Sequence, residues 1–353
     1  MGERTMQPVP PAAGRAVPPE PPPPEPRGPL SAHVLEHILQ APHELPGAPA
    51  FEDDPLWGDD AQLALYCCYE LHYRSMAGVH EGWEWEPSLL ALRRTLETAF
   101  EHRLGEELGP IPTPPDVEMA LRQAIEDSSG RSLSAYLRDE GTLDNMREFA
   151  VHRSAYQLKE ADPHTWAIPR LAGGPKAAML EIQFDEYGGG VESAMHSTLF
   201  AGAMAALGLD NSYGAYLDLL PGATLATTNV ISLFGLHRRW RGALVGHLAA
   251  FEATSVTPMS RYLEASQRLG MGPEGLRFYE VHVDADAHHE VVGLKALVGG
   301  LAAAEPELAA DIVFGGRAMM LVEEHFAHHL LDAWSTDGTS LRAPLPTAGT
   351  QLI

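Results

Sequence analysis

His282, Asp286 and His289 form a His-x3-Asp-x2-His run. Imidazole nitrogens and carboxylate oxygens are ligands for iron, manganese or zinc. At about 100° per residue the three side chains project at roughly 0°, 40° and −20° around a helix axis, so they share one face. They can converge on one metal ion or on two neighbouring ones. A solvated polar stripe has the same spacing. Val281, Val283, Ala285, Val291, Val292 and Leu294 interleave with the triplet, however, and Asp284, His288 and Glu290 already supply polar positions elsewhere on the circumference. The whole stretch 277–304 reads as one amphipathic helix.

Helical bundles build metal sites from inward-facing carboxylates and histidines on several helices, so the triplet needs partners. His196 lies in a run of small and apolar residues, 192–207, that reads as a buried helix; it is either a ligand or a satisfied core histidine. Glu252 is flanked by Leu248, Ala249, Ala250 and Phe251. Buried there it must be paired, hydrogen-bonded or on a metal; otherwise it faces solvent. Glu186 precedes His196 by ten residues, about 15 Å along a straight helix. The pair can meet only if the glycines at 188–190 bend or break the chain. Glu192, one turn before His196, is the rival. Glu160 closes a helix, and Glu140, Glu148 and Glu181 compete with it. These oxygen and imidazole donors, with no thiolate among them, suit iron or manganese. About six or seven such ligands suffice for two metals, an arrangement used in oxygen activation and in hydrolysis.

The elements that must position these residues are helical in pattern. Segments 30–40, 60–76, 87–104, 116–126, 132–139 and 140–159 carry apolar residues at helical spacing. Breaks are expected at 188–190, 208–212, Pro221, Pro258 and 270–273. No alternating β-branched run competes, and no phosphate-loop or dinucleotide fingerprint is present. The fold class expected is all-α: a disordered Pro-rich arm at 1–30, an N-terminal helical extension at 31–130, a helical bundle at 131–335 and a flexible tail at 336–353. Eleven of the 29 prolines fall in the first 29 residues, a composition that forms no packed element. Trp83 and Trp85 read as packing anchors between extension and bundle. His325, His328 and His329, with Glu323 and Glu324, read as a polar face rather than a further metal site.

With 353 residues, 45% of them apolar, the chain can bury a sizeable core. Its net charge of −24 argues against nucleic acid or an anionic membrane as a partner. The two cysteines, Cys67 and Cys68, are adjacent and badly placed for a mutual bridge. That, with no signal-peptide pattern and no apolar run of about 20 residues, points to a soluble cytoplasmic protein.

The segments EFAVHRSAYQLKEADPH, EIQFDEYGGG with His196 following, FEATSV and HVDADAHH resemble the heme-oxygenase-like diiron oxidases and oxygenases, the iron-containing redox enzymes. The resemblance runs from about residue 148 to 334. Residues 60–110, with YELHYRS and WEWEPSLLALRRTLE, look like the helical extension of a large subfamily. It implies a heme-oxygenase-like bundle without heme and with two irons as cofactors, held by Glu186, His196, Glu252, His282, Asp286 and His289, with Glu160 as a further carboxylate. It also implies that His196 and His289 hold one iron, that His282 and Asp286 hold the other, and that the glutamates complete both. O2 would be the co-substrate. A small organic molecule would be the substrate of amine N-oxygenation, desaturation or C–C cleavage in specialised metabolism, with an external electron donor and a homodimeric assembly. A metal-independent, thiaminase-type enzyme of the same fold, a non-catalytic iron-binding protein and a silent scaffold are the alternative readings.

Overall fold

A computed structural model describes residues 20–128 and 130–345, apart from the side chains of Asp284, Asp286 and Ala287. Every regular element among the described residues is helical, as expected. The elements used below are α1 (Pro29–Ile38), α2 (Asp59–Glu70), α3 (Pro87–Leu108), α4 (Val117–Asp127), α5 (Leu133–Asp139), α6 (Leu143–Gln157), α7 (Gly173–Glu186), α8 (His196–Ala206), α9 (Gly222–Leu236), α10 (Arg241–Arg268), α11 (Pro273–Val291) and α12 (Ala309–Trp334). No described helix is long and apolar enough to cross a membrane.

The 28-residue α10 is the central strut, packed against α5, α11 and α12. The expected break at Pro258 does not occur: α10 runs through it. A proline inside a helix costs about 3 kcal/mol, and packing on both sides offsets that here. Before the proline, Gly246 lies against the Ile312 backbone of α12. After it, Arg268 donates to the carbonyl oxygens of Leu137, Arg138 and Gly141 around the end of α5. The expected single α-helix over 277–304 also differs in detail. Beyond Val291 the chain continues as a π-helix, Val292–Gly299, packed on α7. Such widened turns cluster near functional sites.

On the N-terminal side, α2 is buried along nearly its whole length between α1 and α9. Asn229 of α9 donates to both the backbone and the side-chain oxygen of Gln62. Gly28, the N-cap residue of α1, brings no capping side chain. Asp60 supplies one from α2, accepting from Leu30 N (2.9 Å), Ser31 N (2.7 Å) and Ser31 Oγ (2.5 Å) in a buried setting. Asp60→Ala leaves those donors unsatisfied. We expect a loss of about 2 kcal/mol in chemical denaturation, and a loss below half of that contradicts the capping role.

The segments read as disordered are partly packed. The arm up to residue 19 lies outside the described residues. Residues 20–29 are held, by Pro21 O accepting from Ala77 N, Glu25 N donating to Asp218 and Arg27 donating to Leu217 O. The tail at 346–353 is likewise outside the described residues. Before it, Thr339 and Ser340 donate to Glu148 and the Ser340 hydroxyl reaches buried His152. Trp83 is buried but packs inside the N-terminal part, donating to Gln40 O, whereas Trp85 is 68% exposed. Their described contacts, Trp83 with Gln40 and His43 and Trp85 with His72, lie within the extension. His325 stacks on Trp57, and His329 contacts Ser340 O. Glu323 pairs with Arg153.

Candidate metal centre

The glycine turn after α7 brings the first pair together. Helix α7 ends at Glu186, and Gly188, Gly189 and Gly190 all take positive φ. A Cβ on Gly188 would collide with the Ala194 backbone, so only glycine allows the chain to fold back so tightly. A short 3-10 turn, Glu192–Ala194, follows, and α8 opens at His196. His196 Nδ1 then lies 2.7 Å from Glu186 Oε2, both side chains buried. The break, rather than a straight helix, is what cancels the long axial separation. Glu192 sits on that turn, exposed and outside the buried groups.

Two groups of buried ligand-type side chains result. Glu160, Glu186, His196 and His282 form one; Glu186, Glu252 and His289 form the other; within each group the ligand atoms all lie within 4.8 Å of one another. Glu186 belongs to both. Its Oε2 faces His196, while its Oε1 is 3.6 Å from His289 Nδ1. His289 Nδ1 is also 3.4 Å from Glu252 Oε2, and His282 Nε2 is 4.0 Å from Glu160 Oε1. Six of the seven residues singled out by sequence are therefore brought together. The seventh, Asp286, has a side chain outside the described residues. The expected division changes, because His196 stands with His282, ring centroids 4.3 Å apart, and not with His289. The reason is packing: α8 crosses α11 beside His282, while His289, two turns on, faces α7 and α10.

Each histidine on α11 is oriented by a second contact. His282 Nδ1 is 2.8 Å from the carbonyl oxygen of Phe278, one turn earlier. A carbonyl only accepts, so the proton sits on Nδ1 and the Nε2 lone pair faces the cluster. His289 Nε2 contacts Asp185 Oδ2 at 3.1 Å, which turns Nδ1 inward. Asp185 was not anticipated as a partner, although it adjoins Glu186 in the FDEYGGG segment. Beside Glu160 in the chain is another unanticipated group: Lys159, buried, donates to Glu70 at 2.9 Å and lies over the Tyr66 and Tyr73 rings. Tyr213 donates to the other oxygen of Glu70. The competing glutamates lie elsewhere. Glu148 binds Ser340, Glu181 pairs with His288, and Glu140 is exposed.

Electrostatics follow from burial and crowding. Burial pushes the Glu186 carboxyl up, but His196, His282 and His289 outweigh it and bring it down to about 2. Burial, with Glu186 nearby, raises Glu252. Burial, and then His196, press His282 down to about 4, keeping it neutral as a ligand must be. Burial also presses on His289, but Glu252, Asp185 and Glu186 bring it up to about 9. The protein alone leaves this cluster poorly satisfied. His196 Nδ1 and His289 Nδ1 are buried, stand within 2.7 to 3.4 Å of a carboxylate, and make no aligned hydrogen bond. Inward imidazole nitrogens among carboxylate oxygens fit a cation at the shared centre, which would take the place of the proton that the carboxylates otherwise hold on His289.

The Asp185 contact yields an expected result. Partners that orient a metal-bound histidine contribute about 10–100-fold in affinity. Asp185→Asn is expected to weaken retention of a metal ion at His289 by that factor in competition with a chelator. Unchanged retention removes Asp185 from the site.

The model of the family described as iron-containing redox enzyme matches residues 147–324. Nitrosourea synthase of Streptomyces achromogenes subsp. streptozoticus is 23% identical over 159 residues, 45% of this chain and 34% of that protein; the chain thus spans about a third of the length of this relative. Among solved structures, a CADD-like protein of unknown function from Nostoc punctiforme PCC 73102 superposes with a TM-score of 0.49 at 18% identity, covering 61% of this chain and 96% of that one. A second structure of a CADD-like protein from the same organism gives 0.47 at 18% identity, covering 65% and 97%. The family match takes in half of the sequence and all six of the clustered side chains, and the chain belongs to the iron-containing redox enzyme family.

Proposed function

We propose that the protein is a non-heme diiron oxidase or oxygenase that uses O2 to oxidise a small organic substrate, with electrons from an external donor. The observation that carries the reading is the pair of buried ligand groups joined through Glu186, in a chain of an iron-containing family. Glu160, His196 and His282 would hold one iron and Glu252 and His289 the other, with Glu186 between them and Asp286 as the further α11 carboxylate. Iron bound there supplies O2 activation, which protein side chains lack.

The chain's own part is ligation, dryness and orientation. Phe278 O keeps the His282 proton on Nδ1, and Asp185 holds the far nitrogen of His289. A small recess beside the cluster is walled by Tyr156, Leu248, Phe251 and Met259. Its volume of about 10 Å³ is roughly that of one water-sized probe, so bulk water is kept from the ligand atoms. Oxidation of amine nitrogen, desaturation and C–C cleavage are all compatible with this arrangement.

The reading is tested by loading the protein anaerobically with Fe(II), mixing with O2 and following visible absorption and O2 consumption. We expect iron uptake and rapid O2 consumption, both greatly reduced in His282→Ala. Failure to bind iron, or a His282→Ala protein that behaves as the parent, rejects it.

A further inference from the structure

The recess beside the cluster shares Phe251, Ser255 and Met259 with a much larger cavity between α5, α6, α10 and α12. At about 520 Å³ it falls in the range of about 300–1,000 Å³ usual for small-molecule sites. Aromatic and thioether groups supply much of its wall, among them Phe149, Tyr262, Tyr279 and Met319. Three arginines also line it, and they are not equivalent. Arg153 is closed off: it grips Glu323 through two hydrogen bonds of 2.8 and 2.6 Å and lies over the Phe149 and Phe326 rings. Arg131 pairs with Asp332 at 2.6 Å. Arg261 alone is in no described ion pair; its Nη1 reaches only the hydroxyls of Ser132 (3.1 Å) and Ser134 (3.4 Å). Asp139, whose charge reaches it through space, is itself bound twice by Arg138. A half-buried guanidinium with five donors and two neutral partners is a site for a planar anion.

We infer that this cavity is the substrate site of the proposed oxidase and that the substrate is an elongated, largely apolar molecule carrying a carboxylate, which Arg261 binds. The inference rests on the diiron reading for the word substrate, but the binding site stands on its own geometry. Arg261 and Glu252 are on the same helix, nine residues apart, a rise of about 14 Å with the side chains on opposite sides, and the cavity wall passes from one toward the other around the helix by Pro258 and Ser255. A carboxylate held at Arg261 leaves the opposite end of the molecule at the Phe251–Met259 wall, next to the cluster. The cavity thus orients as well as selects, since a ligand anchored at its charged end presents its distal carbons or heteroatoms to the metals. Glu324, exposed on the same rim, would instead favour an ammonium group, and that is the competing chemistry.

Three probes of one shape separate these cases: ω-phenylhexanoate, its primary amide and ω-phenylhexylamine, titrated by calorimetry into the metal-free full chain. The carboxylate is expected to bind at least about tenfold more tightly than the amide or the amine. Arg261→Gln should abolish that preference and Arg261→Lys retain part of it, both variants melting as the parent does, because the side chain is not in the core. Equal binding of acid and amide, tighter binding of the amine, no binding of any probe, or a preference untouched in Arg261→Gln overturns the inference. Iron uptake, measured separately on the same preparations, keeps the two readings apart. Iron without carboxylate binding sinks only the cavity assignment, and carboxylate binding without iron sinks only the diiron reading.

Discussion

Glu186→Gln should cost the protein both of the proposed metals rather than one. Glu186 is the residue common to the two ligand groups, with one oxygen toward His196 and the other toward His289. An amide keeps the shape but loses the charge and half of the acceptor capacity. We expect iron retained after desalting to fall from two equivalents to well below one, and O2 consumption to fall by about 100-fold or more, beyond the roughly 10–100-fold of partners that only orient a ligand. The fold should survive, because the glycine turn and the helix packing do not depend on that charge. Glu192→Gln, on the exposed turn six residues later, is the control and should behave as the parent. If Glu186→Gln keeps one full equivalent of iron and half of the activity, Glu186 is not shared.

The second large effect is on stability. Helices α10 and α12 cross at reciprocal glycines: a Cβ on Gly246 would overlap Ile312 O, and one on Gly315 would overlap Ala243 O. Both obstacles are backbone atoms, which cannot rotate away, so a single methyl group must push the helices apart. Gly246→Ala is expected to destabilise by about 3 kcal/mol, lowering the melting temperature by on the order of 5 °C. It should also loosen iron binding, because α10 carries Glu252. Gly47→Ala, where a Cβ meets nothing within 4 Å, should leave both unchanged. A Gly246→Ala protein that melts with the parent contradicts the close crossing.

Much of the centre was legible in the sequence because helical periodicity is a local property. The spacing of His282 and His289 fits a solvated stripe as well as a metal face, and it is the candidate partners on other helices that favour the metal face. His196 and Glu186 could be joined because glycine marks the only kind of chain that folds back so sharply. What spacing could not provide was the grouping. The angular positions of His282 and His289 differ little, and it is the crossing of α8 and the end of α7 that assign them to different sides. Partners that act from outside the cluster were equally hidden. Asp185 sits about 100° from Glu186 around its helix yet reaches the other nitrogen of His289, and Glu70 reaches Lys159 across 89 positions, with no pattern linking them. Pro258 misled because a local cost was weighed without the contacts that offset it. The prolines at 21–26 misled in the opposite way: their composition forbids a helix but not an extended strap held by Asp218, Leu217 and Ala77.

The central claim is that two irons share one carboxylate, and electron paramagnetic resonance of the fully iron-loaded, O2-exposed protein addresses it most directly. Two ferric ions held by ligand groups that have Glu186 in common would couple to a ground state without net spin, so the expected result is about two irons per chain by elemental analysis and almost no signal. A strong high-spin ferric signal that integrates to the iron content would mean isolated ions, and would contradict it.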